Sequence, residues 1–505
     1  MTQLGFVLDQ SRCFGCHACT VACKTEHGME LGVFRTWVKY IERGEFPDVR
    51  RHFSVMRCNH CTDAPCVEIC PVQALYKRED GIVDFDPSRC IGCKACLNAC
   101  PYDALHIDPN SHTAAKCNFC AHRVDEGLKP ACEVVCPAEA IISGDLDDPD
   151  SEVSRILGSL ASAVRAPEQG TGPNVFYIGA DHASLNPMLV KDAGAYLTAE
   201  VHPTQRQKLL PMAETAPATA MYDIPHPAPW GWRVSSYFLS KGVAAGAMMI
   251  ALLLLLLHPH GSSLADVIPG LLALGGIAVT GVFLVWDLKR PARFYYLFTR
   301  PQWRSWLARG AQCINLAGLV ATVFTVAAVL GWTEVRDVTR WLLLPAGALL
   351  AGYTAFLFNQ CEGRDLWQSP LLLPHTLVNA LIAGAGALGL IAPFTAAPVK
   401  LSHAIGYVLL GGLAVSAAIM ALDLFGRHQT QQAERAAKNL YRGQFARRYW
   451  LGGVFTGLVA PIGLAAAYLA AGGAAFLAAS SVLALIGLWF YEDAWVRAGQ
   501  SVPLS

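Results

Sequence analysis

Residues 90–101 read Cys-Ile-Gly-Cys-Lys-Ala-Cys-Leu-Asn-Ala-Cys-Pro, a C-x2-C-x2-C-x3-C-P run, and Cys13, Cys16, Cys19 and Cys23 repeat its cysteine spacing. Two looser quartets complete a ladder: Cys58, Cys61, Cys66 and Cys70, then Cys117, Cys120, Cys132 and Cys136. Pro71 and Pro137 follow Cys70 and Cys136 as Pro101 follows Cys100, and sixteen of the chain's 18 cysteines lie in the ladder. Two-residue gaps let three successive sulfurs curl around one four-iron cube, while the fourth cysteine reaches across to a neighbouring cube. Four quartets therefore predict four [4Fe–4S] clusters.

The crossing rule pairs quartet one with quartet four and quartet two with quartet three, each pair making one two-cluster ferredoxin unit. The ligand sets it predicts are Cys13, Cys16, Cys19 with Cys136; Cys117, Cys120, Cys132 with Cys23; Cys58, Cys61, Cys66 with Cys100; and Cys90, Cys93, Cys96 with Cys70. Zinc is the competing reading of C-x2-C knuckles, yet four-cysteine zinc sites rarely string three cysteines at this spacing with proline behind the fourth. Disulfides would consume the thiols that iron needs, and residues 1–12 show no apolar leader stretch. Residues 81–87 alternate as a short strand does. Short helices are expected after each Cys-Pro step, because proline is tolerated at a helix's first position. The expected fold of residues 1–150 is an α+β, bis-ferredoxin-like iron-sulfur domain with a small core.

The remainder differs in composition. With 505 residues, 53% hydrophobic and 15% charged, the chain is too apolar for a soluble enzyme of this size. About 20 apolar residues span a bilayer, and eight such stretches fall near 234–257, 264–286, 306–331, 338–359, 371–393, 401–425, 449–471 and 474–491. Residues 231–505 are therefore expected to be an all-α, eight-helix transmembrane domain. Small residues such as those of GVAAGA at 242–247 suit close helix packing. Residues 151–230, rich in Pro and Ala as in ETAPATA at 214–220, read as an extended tether lying on the cluster domain. Its end, PHPAPWGW at 225–232, reads either as an interfacial anchor or as an ordinary proline-rich linker.

An even number of spans puts both ends of the bundle on one face. That face carries Lys289, Arg290, Arg293, Arg300, Arg304, Arg309, Arg364, Arg427, Arg435, Lys438, Arg442, Arg447, Arg448 and Arg497; the other carries Arg336, Arg340 and Lys400. The positive-inside rule then predicts a multi-pass protein of the inner (cytoplasmic) membrane with its iron-sulfur domain in the cytoplasm.

The quartet order, with eleven residues between Cys120 and Cys132, resembles the four-cluster electron-transfer subunits of molybdopterin oxidoreductases of the dimethyl sulfoxide and polysulfide reductase type, as does CPAEAI at 136–141 followed by Gly144-Asp145-Leu146. The membrane part resembles NrfD/polysulfide-reductase-type quinone-binding anchors, through WDLKRP at 286–291, Arg293-Phe294-Tyr295, RSWL at 304–307 and GRDLW at 363–367. These resemblances imply a fusion of two subunits. They imply a catalytic partner carrying molybdopterin guanine dinucleotide, for which this chain shows no domain, so its own role is electron transfer and membrane anchoring rather than the substrate's chemistry. The implied electron order runs from that partner through the sets ending in Cys136, Cys23, Cys100 and Cys70 to the membrane quinone pool, ubiquinone or menaquinone. Some relatives hold a three-iron cluster for want of a cysteine in the third quartet; Cys93 is present here.

A quinone needs an apolar slot and donors to its carbonyl oxygens, so polar residues at the cluster-side helix ends are the candidates: Tyr237, Lys241, Asp287, Arg290, Gln312, Asn359, Gln360, His375 and Asn379. Snorkelling or capping is the plainer role for each taken singly. Asp423 is read as an ion pair with Arg427 one turn on, and Cys313 and Cys361 as packing residues. No C-x-x-C-H or spaced pair of span histidines calls for haem, and no nucleic-acid partner is expected. The alternative function is an energy-converting module whose anchor moves protons.

Overall fold

The computed structural model describes residues 2–45, 48–192, 218–258, 262–395 and 398–505. The chain forms two compact units, Met1–Pro227 with Pro503–Ser505, and Ala228–Val502. In the first, the strand Leu4–Asp9 lies just before quartet one and pairs antiparallel with Ile141–Asp145, just after quartet four. That pairing closes the first and last quartets into one ferredoxin-like half. Phe6 and Leu8 point into one cluster with Phe119, Val175 and Tyr177. Val7 points the other way, against Val153, Ile142 and Ile178. A strand buried on both faces fixes its own register, because a one-residue slip would exchange the two cores.

Two ribbons lead from one quartet into the next: Leu75–Lys77 with Val83–Phe85, and Leu105–Ile107 with Ala114–Lys116. The 81–87 stretch thus contains a strand, as its alternation predicts. The Cys-Pro steps behave differently from expectation. Helices precede them, at Pro65–Glu68, Ala95–Ala99 and Ala131–Val134, and turns follow. Two residues beyond each proline stands a left-handed residue, Gln73 (φ 53°), Asp103 (φ 50°) or Glu139 (φ 46°), a conformation that a right-handed helix cannot continue through. The turn instead brings the amide of Ala74 to Cys70 Sγ at 3.2 Å and that of Ala140 to Cys136 Sγ at 3.3 Å.

Part of the 151–230 segment belongs to the first unit, where it contributes strands and a helix. Val175–Ile178 runs parallel to Leu4–Asp9, Ser151 caps the helix Glu152–Ser159, and Ala218–Tyr222 adds a strand to the hairpin Thr36–Glu45/Asp48–Arg57. Apolar residues such as Val175, Tyr177 and Ala218 find cores there, which the Pro/Ala-rich composition concealed. The 214–217 part of the ETAPATA run lies outside the described residues.

The second unit contains eight helices long and apolar enough to cross a membrane: Trp232–Leu257, Ser263–Asp287, Trp306–Leu330, Thr333–Asn359, Leu372–Phe394, Val399–Phe425, Arg448–Ala471 and Ala474–Gly499. Glycines set the crossings. A methyl group added at Gly384 would lie 2.2 Å from Gly246 C, and one at Gly487 would lie 1.9 Å from Gly457 Cα, so spans one and five, and spans seven and eight, meet backbone to backbone. Asp493, buried at the end of span eight, holds Arg448 of span seven at 2.5 Å and Arg497 at 2.9 Å. Trp230 is buried on Trp367 and Phe358, with its amide on Gln500, so it packs inside the bundle; Trp232 and Trp286 remain exposed, edge to face.

Candidate functional site

The first unit gathers cysteines from different quartets. Cys23 lies among Cys117, Cys120 and Cys132, Cys13 beside Cys136, and Cys100 beside Cys58, Cys61 and Cys66. Cys70, Cys90, Cys93 and Cys96 line one cavity with Leu75, Phe85 and Ile91. Across sets, Cys19 approaches Cys132 and Cys66 approaches Cys96, while Lys116 lies near Cys117, Cys58 and Cys66. Neighbouring groups thus adjoin at Cys19 and Cys132 and at Cys66 and Cys96. Left-handed residues inside the loops, among them Gly15, His17, Gly92, Lys94 and Phe119, curl the backbone around each group.

Burial pushes the thiols of Cys19, Cys61 and Cys100 up to about 12. Such thiols give up their protons only to a metal, which makes loading proton-releasing. Among the described residues no group of three or more His, Cys, Asp or Glu is placed to grip a single metal ion. Thiols drawn together from two quartets suit a cube, in which each thiolate takes a different iron.

Within the bundle, one cavity is lined by Lys241, Thr354, His375, Asn379, Tyr491 and Glu492, with Phe238, Phe358 and Trp495 as aromatic walls. Lys241 is 3% exposed and donates to Ala351 O at 3.1 Å and to Thr354 Oγ1. Glu492 is 8% exposed, and its Oε2 has no hydrogen-bond partner among the described residues. His375 sits between Ser416 Oγ, 3.3 Å from Nε2, and Tyr491 Oη, 3.4 Å from Nδ1. Ser416 also donates to Asn379 Oδ1 at 3.5 Å. An apolar slot with a lysine amine, an imidazole and an unpartnered carboxyl oxygen has what a redox-active carbonyl ligand needs in order to be held and protonated.

Of the nine membrane candidates, this cavity contains Lys241, His375 and Asn379. Tyr237 stacks on Phe238 at 5.1 Å outside it. Gln360 bonds the amide of Trp306 and the carbonyl of Arg304, tying down the loop before span three. Asp287, Arg290, Gln312 and Asn359 do not line it. The expected Asp423–Arg427 pair is not formed among the described residues; Asp423 accepts from Ser369 Oγ at 3.3 Å, and both line a second cavity that shares Tyr491 and Trp495 with the first. Glu492 is not among the sequence candidates, because the eighth apolar stretch ends at 491. The helix continues to Gly499, and the signal is present in Leu488, Tyr491, Glu492 and Trp495, which recur at helical spacing.

A cysteine-gathering α+β unit followed by this bundle defines a membrane-anchored iron-sulfur electron-transfer protein. The chain belongs to the polysulphide reductase NrfD family, whose profile matches residues 222–502, and residues 49–146 match the 4Fe-4S dicluster domain. Its first unit is similar to a subunit of the tetrathionate reductase of Salmonella typhimurium, 44% identical over 191 residues, or 37% of this chain and 76% of that one. It is also similar to a component of the polysulfide reductase of Wolinella succinogenes, 38% identical over 179 residues covering 35% and 94%. The arsenate respiratory reductase iron-sulfur subunit of a Shewanella species is 37% identical over 226 residues covering 35% and 96%. Each of these matches takes in about a third of this chain, so an electron-transfer subunit and a membrane anchor are joined here in one polypeptide.

Proposed function

We propose that this chain carries electrons between a molybdopterin guanine dinucleotide catalytic subunit and membrane quinone, through four [4Fe–4S] clusters. The sets ending in Cys136, Cys23, Cys100 and Cys70 would hold the clusters, which when bound supply one-electron steps from one cysteine group to the next. The quinone ring occupies the cavity of Lys241, His375 and Glu492. Lys241 donates to one carbonyl oxygen, in exchange for a bond it now makes to Ala351 O or Thr354. Glu492, with no hydrogen-bond partner on Oε2, exchanges a proton at the ring oxygen, and Tyr491 and Ser416 hold the His375 imidazole in place. The aromatic walls exclude water from the ring.

The observation that carries this reading is the convergence of cysteines from different quartets in one unit and of a buried lysine amine and carboxyl group around one cavity in the other. The fourteen basic residues on one face against three on the other support an inner-membrane protein with its clusters toward the cytoplasm. A second reading, in which the anchor also moves protons, draws support from the cavity around Asp423, Asp365 and Tyr449, which meets the first at Tyr491 and Trp495. The test is purification through a tag on this chain, with assay of molybdenum, iron and bound quinone. The reading expects all three, with about sixteen irons per chain for four cubes; absence of molybdenum would refute the partner, and absence of quinone the cavity.

A further inference from the structure

Two cations are sealed inside the first unit, one at each of the first two junctions between cysteine groups. Arg57 and Lys116 are both 0% exposed. The Arg57 guanidinium lies over the Phe6 ring at 4.2 Å, near Cys19, Cys132 and Cys117. It makes a 3.5 Å bond from Nη2 to Thr36 Oγ1, while Nε and Nη1 meet no oxygen or nitrogen acceptor among the described residues. Among the described residues no carboxylate pairs with it. Lys116 donates to the carbonyl oxygens of Val83 and Cys117, faces Cys117, Cys58 and Cys66, and has Asp84 as its nearby carboxylate.

Burying a cation without a full counter-charge is costly. Arg57 has no carboxylate among the described residues to account for its charge, and Lys116, beside the buried Asp84, also faces three cysteines. The cysteines do supply a reason. Four thiolates outweigh the positive charge of an iron-sulfur core, so a ligated cube is an anion, and reduction adds one more negative charge. A fixed cation in a low-dielectric interior therefore stabilises the reduced cube more than the oxidised one. Placed near two cubes, it also weakens the repulsion between electrons held on neighbours.

We propose that Arg57 and Lys116 are built-in counter-charges that raise the reduction potentials of the clusters they adjoin. Arg57 acts on the sets ending in Cys136 and Cys23, and Lys116 on those ending in Cys23 and Cys100. The cluster of Cys90, Cys93, Cys96 and Cys70 has neither cation beside it and serves as the internal reference. This rests on the four ligand sets of the proposed function and does not depend on the quinone cavity.

The test is an anaerobic redox titration of the intact complex, followed by electron paramagnetic resonance, for Arg57→Gln, Arg57→Lys, Lys116→Gln and Lys116→Arg. Each glutamine variant is expected to disfavour reduction of its two flanking clusters about tenfold or more, a fall of about 59 mV per decade for one electron. The reference cluster should keep its wild-type potential, and the charge-keeping variants should titrate like the wild type. Unmoved potentials in an iron-replete glutamine variant would overturn the proposal, as would an equal shift in Arg57→Lys or Lys116→Arg, which would mark a packing effect. If Arg57→Gln fails to retain iron, the Lys116 pair decides. Iron well below about sixteen per wild-type chain, counting four irons to a cube, would instead show that the ligand sets are wrong.

Discussion

Gly246→Ala should disable quinone turnover without touching the clusters. The added methyl group would sit 1.8 Å from Ala380 O and 2.8 Å from Gly384 N, whereas ordinary contact begins near 3.4 Å. The first contact alone is short by 1.6 Å, and the obstacle is backbone, so spans one and five must part by about 1 Å or more. Overpacking of this kind costs about 1–3 kcal/mol. Lys241 lies five residues before Gly246, and Asn379 five before Gly384, so the two walls of the cavity move apart with the helices. A misplacement of about 1 Å can cost about 10²-fold in rate. The assay is quinone turnover by the membrane complex, with cluster content read in parallel, against Gly463→Ala, where an added methyl meets nothing within 4 Å. Turnover within about twofold of wild type in folded, iron-replete Gly246→Ala would refute the assignment of this cavity, given the 10²-fold scale expected.

Three further outcomes are expected. Lys241→Met and Glu492→Gln should each lower quinone turnover about 10²-fold, the usual scale for losing one preorganised donor or proton-exchanging group, while electron entry from an artificial dye into the clusters stays at its wild-type rate. Cys23→Ser should alter the paramagnetic signal that Cys117→Ser or Cys120→Ser alters, rather than that of Cys13→Ser, because it crosses to the fourth quartet. His106 is held down to about 4, chiefly by burial and then by Arg35, below the ordinary 6.5. The unfolded chain therefore takes up this proton first as pH falls, and the first unit should lose on the order of 2 kcal/mol between about pH 6.5 and 4; His106→Phe should flatten that part of a denaturation-against-pH curve.

The parts of the fold governed by short-range chemistry were legible in the sequence. Cysteine spacing carried the iron-sulfur unit, and hydrophobic length carried the eight spans. The turns after Pro71, Pro101 and Pro137 were not legible, since proline permits a helix start and only the left-handed conformation of Gln73, Asp103 and Glu139 rules it out. The strand Val175–Ile178 was hidden in a Pro/Ala-rich stretch because its partner, Leu4–Asp9, lies far away in the chain. In the membrane, polarity at helix ends named Lys241, His375 and Asn379 but also six residues that do not line the cavity with them. Lys241 and Asn379 lie on spans one and five, which meet at Gly246 and Gly384, and such a meeting is a property of two helices together. Glu492 escaped because a carboxyl group ends an apolar run on paper, while the helix continues through it to Gly499.

On the proposed function, electrons held on this chain's clusters pass to quinone in its own bundle. Anaerobic mixing tests it: the purified chain, its clusters reduced and excess reductant removed, is mixed with a water-soluble quinone while cluster absorbance and quinol are followed. Each cube holds one electron and each quinone takes two, so reoxidation of four clusters should yield about two quinols per chain. Clusters that stay reduced in the presence of quinone, with iron content intact, would contradict the account.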